Sequence, residues 1–264
     1  MVMLVKKILR DFFWNFSYLI NSKPISPNGR MTIVTAADST HENSLGNLLD
    51  SITIHAPQAH VLIWDLGLSL NQRKILEEKF RSYAFKDFNF DLYPSYFNIK
   101  IDSGQYAWKP VIISESAKLL EGFLLWLDAG NKLTGKLDKV KKLINKNEFY
   151  SPYSGGNIKA FTHKSTLDYF SFPARKLLKR NCNGAIIGFK LASPCVAGLI
   201  DDWKNCALNK DCIAPYGSNR ENHRQDQSVL TILCELKGMN KTKIYRNLNS
   251  RINILIHQDV ELAK

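Results

Sequence analysis

Short apolar runs alternate with longer amphipathic stretches along much of this chain. A polar, turn-rich stretch from Asn21 to Arg30, with Pro24, Pro27 and Gly29, sets off the N-terminal residues from the apolar run Met31 to Ala36. The pattern then predicts a helix from about Glu42 to Ile54, a strand Val61 to Trp64, and a charged helix from about Asn71 to Tyr83. Phe88 to Tyr93 reads as a further strand and Pro110 to Leu120 as a helix. Gly122 to Leu127 is almost wholly apolar, as suits a strand covered on both faces. Beyond Asp128 the pattern loosens: Ser151 to Ala160 is loop-like, Ala185 to Phe189 suits a strand and Gln227 to Leu236 a helix. Strand and helix in alternation predict an α/β fold, with a mixed, mainly parallel sheet flanked by helices. The division expected is an N-terminal segment, 1–30, and one domain, 31–264.

Composition narrows the class. With 264 residues, 45% of them hydrophobic, the chain can bury a full core and is not a disordered polymer. Lys and Arg number 36 against 24 Asp and Glu, a net charge of +12, which favours polyanionic company: nucleic acid, anionic lipid or a phosphorylated substrate. The densest basic stretch, Lys136 to Lys146 with Lys139, Lys141 and Lys142, reads as an exposed helix face. In segment 1–30, Lys6, Lys7 and Arg10 precede Phe12, Phe13, Trp14, Phe16 and Tyr18, too short an apolar run for a signal peptide or a membrane span. Such a mixture suits either a helix in the membrane interface or a helix packed on its own domain. Five cysteines without metal-ligand spacing are expected to be reduced thiols of a cytoplasmic protein, one that sits peripherally at the inner face of the membrane if the segment docks there.

Candidate chemistry gathers where apolar runs end, because ligands of open α/β sheets bind beyond the carboxyl ends of the strands. Ile33-Val34 ends in Thr35-Ala36-Ala37-Asp38, Leu62-Ile63-Trp64 in Asp65, and Leu124 to Leu127 in Asp128-Ala129-Gly130-Asn131. A carboxylate delivered like Asp128 either binds a divalent ion or a sugar hydroxyl, or caps a turn. Tyr106-Ala107-Trp108-Lys109-Pro110 opens an apolar helix, so Lys109 is either a cation for a phosphate at that helix start or a solvated charge. His223-Arg224-Gln225-Asp226-Gln227-Ser228 opens another; Asp226 is placed to cap it, and the rest of the cluster exceeds what capping needs.

Taken in order, "GQYAWKPVII", "LLWLDAGNKL", "NCNGAIIGFK" and "HRQDQSVLTIL" resemble a group of bacterial glycosyltransferases with the GT-A, Rossmann-like fold, over about Thr32 to Asn240. The resemblance implies a single-domain enzyme that moves a sugar from a nucleotide-diphosphate-sugar donor to a saccharide or glycolipid acceptor, in surface polysaccharide or lipopolysaccharide synthesis. It implies donor contacts from Thr35, Ala36, Asp38, Asp65, Lys109, Asn183 and Gly184. Catalytic carboxylates would be Asp128 and Asp226, with His223, Arg224, Gln227 and His163 on the acceptor side. Asp128 takes the first position of the family's Asp-x-Asp motif, while Gly130 stands at the second. A Mn or Mg ion would then need Asp128 with another ligand such as His257, or basic side chains take its place. Two rivals follow from the same residues: a nucleic-acid-binding protein, for which no basic element with interleaved aromatics is evident, and a catalytically inactive GT-A-fold interaction module.

Overall fold

The computed structural model describes residues 29–239 and 252–259. Of segment 1–30 only Gly29 and Arg30 fall in that range, so the expected N-terminal helix lies outside the described residues.

The first half runs β1 (Met31–Ala37), α1 (Glu42–His55), β2 (His60–Asp65), α2 (Leu70–Lys79), β3 (Ala84–Asp87), then three 3-10 turns, α3 (Trp108–Ala117) and β4 (Phe123–Leu127). The second half runs β5 (Lys132–Leu133), α4 (Asp138–Asn147), β6 (Phe149–Tyr150), β7 (Tyr153–Asn157), α5 (Ile158–Phe161), α6 (Lys164–Tyr169), β8 (Arg180–Cys182) and β9 (Ile186–Lys190), then α7 (Pro194–Ala207), α8 (Lys210–Ile213), α9 (Gln225–Leu236) and β10 (Ile254–Leu255). Six strands make the central sheet in the order β3-β2-β1-β4-β9-β6. The first four are parallel; β9 pairs antiparallel with β4, and β6 with β9. The expected mixed, mainly parallel sheet is thus present.

Period-two alternation divides the core between the two faces of that sheet. Val34, Leu62, Leu124 and Trp126 pack with Val111, Ile112, Trp203, Val229 and Leu230 on one face. Their neighbours Ile33, Ile63, Leu125 and Leu127 pack with Leu45, Leu48, Leu49, Ile52, Val140 and Ile144 on the other. The spacing of Leu45, Leu48, Leu49 and Ile52 is that of a helix with one apolar stripe, which fixes α1 against the sheet. In α4 the buried residues are Val140, Leu143 and Ile144; Lys142 and Lys146 are exposed, whereas Lys139 and Lys141 are half-buried, so the basic stretch forms an exposed face only in part.

Three expectations change. The strand expected over Phe88 to Tyr93 is instead β3, four residues earlier, followed by a 3-10 turn at Phe90–Leu92. Phe88 stacks on Tyr93 at 5.0 Å and meets Phe90 edge-on at 4.7 Å, so an aromatic cluster imitates the apolar density of a strand. The loop-like stretch Ser151 to Ala160 holds β7 and α5, its strand pattern hidden by Gly155 and Gly156. Finally, Cys206 and Cys212 are joined in a disulfide, whereas all five thiols were expected to be reduced; Cys182, Cys195 and Cys234 are free of disulfides.

Candidate active site

β1, β2 and β4 point their carboxyl ends to the same edge of the sheet, because they are parallel neighbours. Asp128 follows β4 directly. Its Oδ1 accepts a hydrogen bond from Trp126 Nε1 at 2.7 Å and lies 2.9 Å from Lys109 Nζ. Lys109 is the second residue of α3, with Pro110 in that first turn as expected. Its ammonium also sits 3.2 Å from Asp226 Oδ2 and donates to the Gly184 carbonyl at 3.2 Å. Four segments far apart in sequence therefore meet at one cation. Lys109 and Asp226 are buried, while the Asp128 side chain is 39% exposed.

Burial pulls the Lys109 pKa down, but the two carboxylates outweigh it and hold the lysine above its ordinary range as a fixed cation. Burial pushes the Asp226 carboxyl up; Lys109 opposes this and Asp128 reinforces it, leaving a net upward shift. A carboxyl displaced in that direction exchanges a proton nearer to neutral pH. The capping role open to Asp226 is not taken: α9 begins without a side-chain cap bond, and this carboxylate turns to Lys109 instead.

The loop before β9 completes the floor. Asn183 Oδ1 accepts from Ala185 N at 2.7 Å, and the Ala185 carbonyl accepts from Asp128 N and from Asn131 Nδ2. Gly184 faces the first turn of α9, so a Cβ there would sit in contact with Asp226 and Gln227. Two buried polar atoms beside this floor have no partner among the described residues: Asn131 Oδ1, whose amide nitrogen holds the Ala185 carbonyl, and Gln227 Nε2, whose side chain lies against Gly184. Buried polar atoms are rarely left so, and their place at the floor fits a site that receives a polar ligand.

Other expected residues have local partners. Asp38 takes bonds from Thr40 and His41 at the end of β1, and Ala36 is buried within that strand. Asp65 accepts from Gly67 N and Leu68 N and pairs with Arg73 at 2.9 Å. His223 is fully buried: Nε2 donates to the Ile213 carbonyl, Nδ1 accepts from His163 N, and burial pushes its pKa down to about 4, so it is neutral. His163 Nδ1 in turn caps α6 by accepting from Ser165 N. Arg224 lies over the Phe161 ring at 3.6 Å and donates to Ser154 Oγ.

The sequence reading missed a strained wall beside Lys109. Asp102 through Tyr106 all have positive φ, as does Gln225 at the start of α9, and Gln225 Nε2 meets Gln105 Oε1 at 3.4 Å. Strain of this kind concentrates at functional sites. Gly104 has φ +61°, and a Cβ there would overlap the Phe97 carbonyl, which made this glycine the one sequence signal for the turn. Arg220, also unforeseen, lies over Tyr106 at 4.7 Å, donates to Gln225 Oε1 and draws the Asp226 pKa downward. Nothing in its sequence neighbourhood marks it.

The residues do not fit the divalent ion that the resemblance allows. Among the described residues no three His, Cys, Asp or Glu side chains converge to hold one. Asp128 Oδ1 is already shared by an ammonium and an indole N–H. His257 is exposed on the C-terminal segment, whose Gln258 N donates to Gly130 O at 2.7 Å. A Cβ on Gly130 would overlap the Asp259 carboxylate, so the tail fills the space that the motif's second Asp would need.

This architecture has solved counterparts. The galactosyltransferase LgtC, crystallised with donor and acceptor sugar analogs, superposes with TM-score 0.55 at 14% identity, over 86% of this chain and 87% of that one. An active-site mutant of LgtC gives TM-score 0.51 at 15% identity, over 88% and 85%. This chain has the GT-A fold. By sequence, residues 14–114 match a family described as "Protein of unknown function (DUF1647)", and no curated protein matches the chain. Within the GT-A fold, the end of β4 and the start of α9 therefore meet through Lys109.

Proposed function

We propose that this chain is a glycosyltransferase that moves a sugar from a nucleotide-diphosphate donor to a saccharide or glycolipid acceptor in bacterial surface polysaccharide synthesis. The observation that carries this reading is the buried Lys109 clamped between Asp128 and Asp226 at the strand-end edge of a GT-A sheet. The reaction class is displacement of the diphosphate at the anomeric carbon by an acceptor hydroxyl. Charge growing on the diphosphate needs a cation or aligned donors; the Lys109 ammonium, its three N–H groups taken by Asp128, Asp226 and the Gly184 carbonyl, contributes its positive field there and holds both carboxylates in place. The donor lies against Thr35, Asp38, Asn183 and Gly184, with Gln227 holding a sugar hydroxyl. Asp226, its proton affinity raised, receives or orients the acceptor hydroxyl, and the acceptor approaches past Arg224 and His163. Peripheral contact of the N-terminal segment with anionic membrane at its cytoplasmic face would present a lipid-linked acceptor. No nucleic acid is part of this reading.

Gly130 at the place of a second motif carboxylate favours one alternative, a protein that binds the donor without turning it over. Thermal shift against a panel of nucleotide diphosphates, with and without manganese, identifies the nucleotide, and product formation from the matching sugar donor separates the two. Stabilisation by one nucleotide together with turnover supports the proposal; stabilisation without turnover under every acceptor class supports the alternative. Stabilisation by no nucleotide overturns both.

A further inference from the structure

Single exposed apolar residues such as Leu70 and Leu92 are ordinary on a protein surface. Leu178 differs in its company. It is 76% exposed, in a strap that reads Arg175-Lys176-Leu177-Leu178-Lys179-Arg180. Two backbone bonds, Ile158 N to Lys179 O and Lys159 N to Leu177 O, fix α5 against the strap and bring exposed Lys159 alongside. The Lys176 ammonium donates to the Glu235 carbonyl and so ties the strap to the end of α9. There Leu236, 42% exposed, joins Tyr169, 53% exposed, with Phe170 and Leu233 in lining an open hollow. Asp202 in that hollow is paired with Lys237 at 2.6 Å.

Residues 158–180 hold six Lys and Arg against one acid, Asp168, which is paired with Lys164. That is +5 of the chain's net +12. We propose that this strap, with the adjoining end of α9, is a membrane-docking surface for anionic lipid headgroups. Arg175, Lys179 and Lys159 meet the phosphates, while Leu178, Tyr169 and Leu236 enter the headgroup layer. The apolar members select lipid over nucleic acid, since an exposed leucine gains nothing at a phosphodiester backbone. β8 begins at Arg180 and leads within four residues to Asn183 and Gly184, so docking here sets the Lys109 site close to the bilayer. This surface is made of residues other than those of the N-terminal segment and does not depend on the transferase reading, because vesicle binding is measured without turnover.

The test is co-sedimentation of the full chain with phosphatidylcholine vesicles, with and without phosphatidylglycerol. Binding is expected only to the anionic vesicles. Arg175→Gln with Lys179→Gln should weaken it about 25-fold, at about fivefold for each charge removed. Leu178→Ser, which leaves the charge unchanged, should weaken it about fivefold. Lys6→Gln with Lys7→Gln serves as the counterpart in the N-terminal segment. Strap variants that bind anionic vesicles as tightly as the parent overturn the proposal, whatever the N-terminal variant does. So does a Leu178→Ser protein with undiminished vesicle binding, if the charge variant loses vesicles and a single-stranded oligonucleotide equally; the strap is then a general polyanion surface.

Discussion

Asp65 and Asp128 end the two apolar runs that flank β1 in the same way, yet they have opposite surroundings. Asp65 is closed in by its own loop: two backbone N–H groups take Oδ1, and Arg73 takes Oδ2 while also binding Glu77 and Asp87. Its side chain is 12% exposed. Asp128 is instead held by groups from the strand behind it and from a helix that starts twenty residues earlier, and it keeps 39% of its side chain open. An apolar run that ends in Asp marks the end of a strand. What decides between a loop fastener and a reactive group is the second segment that the fold brings up to it.

The largest effect is expected where that second segment is removed. Lys109→Met leaves Asp226 buried without its counterion, at a cost of about 3–5 kcal/mol in urea unfolding, and abolishes transfer. Adding Asp226→Leu should return much of the stability and none of the turnover. A loss below about 1 kcal/mol for Lys109→Met would mean that the ammonium is not what holds the site together.

Next comes the direct contrast between the two carboxylates. Asp128→Asn should lower transfer about 10²–10³-fold with little change in unfolding free energy. Asp65→Ala should cost about 1–3 kcal/mol, by freeing two N–H groups and Arg73, and leave turnover near the parent value. Reversed outcomes would exchange the roles of the two strand ends.

Gly104→Ala sharpens the same comparison from the side of the wall. A Cβ there meets a left-handed backbone and the Phe97 carbonyl, so a loss of about 1–2 kcal/mol is expected. Because the turn positions Lys109 and Gln105, turnover should fall along with stability, unlike in Asp65→Ala.

The sheet was legible because period two and period 3.6 are written locally: Leu124 to Leu127 and Leu45 to Ile52 need no knowledge of the rest of the chain. The site was legible in its anchor points, since Lys109, Asp128 and Asp226 each stand where a regular element begins or ends. Their mutual contact was not. Positive φ from Asp102 to Tyr106 leaves no mark beyond Gly104, and Arg220 reaches the site from an irregular loop. The Phe88 to Tyr93 cluster shows the opposite failure, where aromatic packing gives a strand-like pattern without a strand. Likewise Cys206 and Cys212 are brought together by the turn between α7 and α8, which spacing alone does not announce.

The smallest effect concerns the third strand end, Asp38 after β1. Burial raises the Asp38 carboxyl, but hydrogen bonds from His41 and Thr40 prevail and hold it at about 2, below its usual 3.8. The bond to Asp38 raises His41 above its usual 6.5 against the effect of burial, and the fields of Asp259 and Asp128 add to this. A lowered carboxyl stabilises the fold above its unfolded pKa and loses that contribution as pH falls from about 4 toward about 2. A raised histidine stabilises below about 6.5 and loses its contribution as pH rises through the folded value. The pair therefore contributes most between about pH 4 and pH 6.5. His41 is half-exposed and screened by salt, so no more than about 0.5 kcal/mol is at stake. Melting temperature followed from about pH 5 to about pH 8 should decline slightly more in the parent than in His41→Gln, and the difference should shrink at high salt. Equal slopes would show that His41 does not titrate against Asp38. Asp38 would then resemble Asp65, fastened by its own loop, and Asp128 alone among the three strand ends would answer to a distant cation.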